Sequence, residues 1–115
     1  MEFISGNIFI RHMAFEKAGQ GTTGHQHNFD HTTYVPHGAI RFEKVRLDEA
    51  GNVVEVLKTV DKRASDGYNW VLIKAGDCHR LTALEDNSVA HCVFSHRNPQ
   101  GDVVQEDDGW RASYV

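Results

Sequence analysis

The amino-acid sequence predicts an all-β protein, folded as a sandwich or barrel, on three observations. Short runs rich in Val, Ile, Phe, Thr and Tyr recur about every ten residues. Gly, Asn or Asp bounds each run, as turns between strands require. No heptad, internal repeat, low-complexity tract or long amphipathic helical pattern breaks the series. With 115 residues the chain is expected to form a single domain, since two ordinary cores need more chain than that. Its 40% apolar, 24% charged and 10% aromatic residues make a globular composition, not a disordered or fibrous one.

Taken in order, the expected strands are Ile8 to Phe15, a short piece near His25 to His27, Thr32 to Val35 and Ala39 to Arg46. Val53 to Val60, Asn69 to Lys74, Arg80 to Leu84 and Ser88 to Ser95 follow. Asp48-Glu49-Ala50-Gly51-Asn52 separates two of them, and Gly51-Asn52 can supply the positive φ that a hairpin connection needs. Glu85-Asp86-Asn87 marks a second turn, and Ala75-Gly76-Asp77 a tight one just ahead of His79. Residues 97–115 are polar, with Pro99, Gly101, Asp107, Asp108 and Gly109, and read as an irregular or wrapping segment in which Trp110 docks on something. Met13, Phe15, Ile40, Phe42, Trp70, Leu72, Leu81 and Phe94 read as core.

Charge and composition remove several classes of function. Twelve basic against sixteen acidic residues leave a net charge of −4, with no basic cluster to neutralise a run of phosphates, which argues against a nucleic-acid partner. No apolar run approaches the roughly 18 residues that span a bilayer. The start, MEFISGNIFIRH, lacks the basic region and small-residue cleavage site of a secretory signal, so a cytoplasmic location is expected. Cys78 and Cys92 are too few for a disulfide framework and lack the C-x-x-C spacing of zinc or redox sites, so they read as reduced structural thiols.

The distinctive feature is eight histidines, four of them between His25 and His37 in a stretch without Lys, Arg or Glu. Residues two apart in a strand project to one face, so His25 and His27 aim two imidazoles into the same space. His31 is a further even step along and joins that side if the chain stays extended, leaving Gln26, Asn28 and Asp30 to face away. Three or four rings on one face are expensive to bury without an ion or hydrogen-bond partners, and neutral imidazole is the commonest ligand of borderline divalent metals. An H-x-H pair alone is weak, because exposed strand histidines are common. Here, however, Gly19, His25, His27, His31 and Gly38 form G-x5-H-x-H-x3-H-x6-G.

That arrangement resembles the first motif of the cupin superfamily, G-x5-H-x-H-x3,4-E-x6-G, with His31 standing where the family has Glu. The second motif, G-x5-P-x-G-x2-H-x3-N, is similar to Gly67 to His79 in degenerate form. Gly76 and His79 keep G-x2-H, Lys74 replaces Pro, Gly67 is one residue out of register, and Ala83 stands where Asn would be. The resemblance spans Gly19 to Ala83 and implies a double-stranded β-helix of two facing antiparallel sheets, covering about 8–96 of a single cupin domain 1–115. It further implies one divalent transition metal ion near a barrel mouth, held by His25, His27 and His31 with His79 from the facing sheet. A subset of small manganese-binding cupins has four histidines at this spacing. Iron or manganese is favoured, with zinc or nickel as alternatives.

The exchange of Glu for His31 leaves the ionic charge uncompensated, which implies a stronger Lewis acid and a preference for anionic ligands. It also removes the family's potential general base. Four protein ligands on an octahedral ion leave two open positions, enough for dioxygen and one substrate atom or for a chelating substrate, whereas tetrahedral zinc leaves none. The functional expectation is an oxygenase-type enzyme acting on a small oxygenated organic substrate. The alternatives are a redox-neutral isomerase or decarboxylase, a non-catalytic metal- or ligand-binding module, and a metal-free binding domain. Phe29 shares the parity of the histidines and is expected to wall the pocket, and His91 is a pocket residue behind the ligands if its strand face turns inward. Arg41 is either a solvent-facing charge or an anion anchor, while His12, His37 and His96 are poorer site candidates. The resemblance also implies a homodimer, since small cupins often pair sheets or exchange N-terminal strands, and the segment from Met1 to Phe15 is apolar enough to do so.

Overall fold

The computed structural model describes residues 1–104. Among them it has eight strands and no helix: β1 (Glu2–Ser5), β2 (Ile8–Phe15), β3 (His31–His37), β4 (Ala39–Leu47), β5 (Val53–Arg63), β6 (Trp70–Ile73), β7 (His79–Ala83) and β8 (Ser88–Ser95). They form two antiparallel sheets, one of five strands in the order β1-β2-β8-β3-β6 and one of three in the order β5-β4-β7. The expected all-β architecture of two facing sheets is therefore present. Strands β2 and β8 match the expected bounds, and β3, β4 and β5 each run longer than expected.

Three expectations need correction. The first strand, β1, goes unannounced because it is four residues long and wholly exposed, so its pattern holds no inside-outside alternation. It exists because it pairs with β2, Phe3 opposite Ile10 and Glu2 opposite Arg11. The piece near His25 to His27 is not a strand of its own but makes isolated bridges, Gly21 to Thr82 and His25 to His79. Trp70 and Leu72 are not core, since β6 turns Val71 and Ile73 inward and leaves Leu72 58% exposed. In the tail, Arg97 and Val103 form a bridge and Val104 packs on the core, while residues 105–115, with Trp110, lie outside the described residues.

The core lies between the sheets. Phe9, Met13 and Phe15 of β2, Ala90, Cys92 and Phe94 of β8, and Val35 of β3 meet Ile40 and Phe42 of β4 and Leu81 and Ala83 of β7. Each follows the two-residue period of its strand. Fully buried Ile40, Leu81 and Val35 stabilise the fold by about 1.5–3 kcal/mol apiece.

Gly38 joins the two sheets between β3 and β4 and shows why that motif position is a glycine. Its φ is +74°, and an added Cβ would lie 2.7 Å from the Cα of Ser88. Ser88 is itself fully buried and bonds both the amide and the carbonyl of Ala39, so it cannot retreat. Gly38→Ala is expected to lower stability by ~2 kcal/mol or more in urea unfolding, and a loss below about 0.5 kcal/mol would refute the close-approach account.

Candidate metal centre

The site begins with the backbone pairing of two segments more than fifty residues apart. From Gly19 to His27 the chain runs antiparallel along β7: Gly19 N–H bonds Ala83 O at 2.8 Å, Thr22 N–H bonds Leu81 O at 2.9 Å, and His25 N–H bonds His79 O at 3.0 Å. The return bond, His79 N–H to His25 O at 2.8 Å, makes the two histidines a doubly bonded pair. Their rings consequently stand side by side, with centroids 4.2 Å apart. Three further bonds fasten the stretch beyond: Gly76 N–H to His27 O, Ala75 N–H to Asp30 Oδ1, and Cys78 Sγ to Gln26 Oε1.

The expected parity is realised, since His27 and His31 are buried while Gln26, Asn28 and Asp30 are exposed. Ligand nitrogens of His25, His27 and His79 all lie within 4.8 Å of one another. An ion about 2.1 Å from each nitrogen closes such a span with small ring rotations. These three residues can hold a metal ion. His31 is not of that trio by nitrogen spacing, but its ring lies 5.2 Å from those of both His27 and His79. The sheets contribute differently than expected: His25 bridges His79 on the three-stranded side, and it is His31, on β3, that belongs to the opposite sheet.

Tautomer and charge state suit a metal. The Nδ1–H of His25 donates to Thr23 O at 2.8 Å, and that of His79 donates to Asp77 O at 3.1 Å. A neutral ring so bonded keeps its lone pair on Nε2, and a carbonyl behind the ring fixes its orientation, as in established metal sites. Burial, reinforced by His79, His27 and His25, pushes the pKa of His31 down to about 2. Burial and His25 lower that of His79 to about 3. Both rings are therefore neutral, the form that coordinates metals.

No protein-family model matches the chain, and no curated protein does. Solved structures do. The oxalate decarboxylase of Bacillus subtilis, in a structure concerned with its Mn(II) centres, superposes with a TM-score of 0.63 at 20% identity over 96% of this chain. A hydroquinone 1,2-dioxygenase in complex with Cd2+ and 4-hydroxybenzonitrile gives 0.59 at 16% identity, covering 84% of this chain and 62% of that one. A cupin superfamily protein of Desulfitobacterium hafniense gives 0.58 at 12% identity, covering 83% and 73%. The chain has the cupin fold. It spans about a quarter of the oxalate decarboxylase, 24% of that chain.

Within this cupin barrel, Phe29 packs against the histidines. Its ring stacks on His27 at 5.0 Å, lies 6.0 Å from His31 and meets Phe94 at 4.5 Å. His91 does not reach them, because β8 turns Ala90, Cys92 and Phe94 inward and His91 outward. There it hydrogen-bonds His12 across the β2–β8 ladder, Nδ1 of His12 to Nε2 of His91 at 2.8 Å, and part-burial and His12 lower its pKa. Arg41 lies on the outer face and makes a two-pronged ion pair with Asp61, which fits its reading as a solvent-facing charge. His37 holds the carbonyl of Asn87, and His96 lays its ring 6.1 Å from Phe9. Buried Cys92 contacts Thr33, and burial pushes its thiol up to about 11, so it is packing and not a nucleophile.

Sequence reasoning missed a cavity of about 260 Å3 that reaches His79 between β4–β5 and β6, bounded also by Asp77 and Lys44. No local pattern announces it, because its walls come from the edges of two different sheets.

The lowered pKa values fix a pH dependence. The unfolded histidines take up protons near pH 6.5 while His31 and His79 in the fold resist until about 2 and 3, so acid favours the unfolded chain. The metal-free protein is expected to be most stable above about pH 6.5 and to lose stability steadily below it, read as a falling urea midpoint. His31→Asn should flatten that slope, and an unchanged slope in the variant would sink the assignment.

Proposed function

We propose that this protein is a mononuclear metal-dependent cupin with His25, His27, His31 and His79 as ligands, acting as an oxygenase-type enzyme on a small oxygenated organic substrate in the cytoplasm. The observation that carries the reading is the cluster itself: four rings from three parts of the fold, with His27, His31 and His79 buried and His31 and His79 kept neutral. Burying so much imidazole is costly unless the lone pairs are used, and a shared cation uses them together. Iron or manganese is the favoured ion. Bound there, it would supply Lewis acidity and open coordination positions at a centre whose protein ligands carry no negative charge.

The chain's own residues define the surroundings. Thr23 and Asp77 carbonyls aim two of the rings. Phe29 and Phe94 form an apolar wall behind His27 and His31, which excludes water and strengthens electrostatic interactions with a substrate. With His31 in place of a carboxylate, the ligand set contains no general base, so the substrate is expected to arrive acidic enough, or already ionised, to need none.

Elemental analysis of protein purified without a histidine tag should find one divalent transition ion per chain. His27→Ala and His79→Ala should reduce metal content about tenfold or more while circular dichroism reports an intact β fold. Oxygen uptake with a panel of diketones, thiols, flavonols and small enols then tests turnover. A metal-loaded protein that consumes no oxygen with any of them would favour a redox-neutral isomerase or decarboxylase, or a non-catalytic binding module.

We also infer a homodimer through the outer face of the five-stranded sheet. A row of paired residues, Phe3, Ile10, Val93, Thr32 and Leu72, crosses all five strands, with Phe3 and Leu72 about half exposed. Such a row on one face, apolar but for Thr32, suits a self-complementary contact. Light scattering should give twice the chain mass of 13.0 kDa, and Leu72→Lys should shift it to the monomer. A monomeric wild-type protein at high concentration would refute the pairing.

A further inference from the structure

We propose that the cavity ending at His79 is a binding site for a small organic anion with an apolar body, its charged head held at the rim by Lys58 and Lys74. The catalytic relevance of this site rests on the metal-centre reading above, but its binding chemistry does not.

The cavity of about 260 Å3 opens where the free edges of the two sheets, β5 and β6, face each other. Phe42, Val60, Val71 and Ile73 line it, and His79 is the cluster residue among its walls. Buried Phe42, Ile73 and His79 make the floor, whereas Lys58 and Lys74 are exposed at the rim. An apolar floor beneath polar rim groups is the usual construction of a small-molecule site, and a volume just under the roughly 300 Å3 at which drug-sized pockets begin limits the occupant to a small molecule.

Charge decides the class of ligand. Five ionic side chains line the space: Glu43, Lys44, Lys58, Lys74 and Asp77. Glu43 is satisfied by Arg80 at 2.8 Å and Lys44 by Asp77 at 3.5 Å. Among the described residues, Lys58 and Lys74 have no carboxylate partner, so the rim presents two cations in a chain whose net charge is −4. Local potential of this sign raises the residence of anions and their rate of capture. An anion with a hydrocarbon or aryl body would cover the floor while its head meets the lysines, and its far end would lie toward His79. A neutral analogue loses the lysine contacts, and a purely hydrophilic anion loses the apolar ones.

The test uses benzoate and its neutral counterpart benzamide, titrated into the full chain at low salt and followed by amide chemical shifts. It is run on both metal-free and metal-loaded protein. Benzoate is expected to shift the resonances of Val60, Val71 and Ile73 and to bind at least about tenfold more tightly than benzamide in both forms. The double variant Lys58→Gln, Lys74→Gln should bring the two affinities together while leaving the metal content and thermal midpoint unchanged, since both lysines are exposed. Equal affinities in the wild-type protein would overturn the proposal, as would a benzoate preference that survives in the double variant. A preference seen only in the metal-loaded form and indifferent to the lysines would place the anion on the ion alone, which also overturns it. Failure of the metal-centre reading would show separately, as absent metal with the benzoate preference intact.

Discussion

The site depends on a run of backbone hydrogen bonds that lays residues 19–27 along β7. Imidazoles cannot gather by affinity for one another, since neutral rings gain little from mutual contact and charged rings repel. Here the backbone brings them together. The two reciprocal backbone hydrogen bonds between His25 and His79 set one pair of rings side by side, and the bond from Gly76 N–H to the His27 carbonyl carries the chain toward β3, whose first residue, His31, belongs to the opposite sheet. The ring positions are thus by-products of peptide pairing, fixed before any ion arrives, which is the physical meaning of a preorganised site.

Preorganisation has a cost in stability. Desolvated imidazoles give up their affinity for protons, and the fold bears that burden whenever the solution is acidic. Closely packed aliphatic residues on β3, β4 and β7 offset it, with Val35, Ile40 and Leu81 sealed from solvent. Phe29 serves both purposes, since it belongs to the apolar core and also stacks on His27. Core and candidate site are consequently one continuous body of packing, and a substitution in either is felt in both.

The two sheets differ in how they close. The five-stranded sheet has a central β8 paired along all of β2, whereas β5, one edge of the smaller sheet, is exposed along most of its length. That unequal closure leaves an opening beside His79. An opening rimmed by lysine gives access from solvent to a centre that is otherwise walled by phenylalanine.

Local pattern in the sequence was enough to determine the all-β class, the bounds of β2 and β8, and the alternation that turns His25, His27 and His31 to one side, because a strand's two-residue period is written in its own residues. The resemblance of the histidine spacing to the cupin motif brought His79 into the same reading. The sequence did not determine the side on which His91 and Leu72 lie, since outward and inward faces of a sheet differ only in what packs against them. Nor could it announce β1, whose four exposed residues are a strand solely because β2 offers a partner. The lysine-rimmed cavity is likewise tertiary: Lys58 and Lys74 are ordinary surface charges along the chain, and become a pair only where two sheet edges stop short of each other.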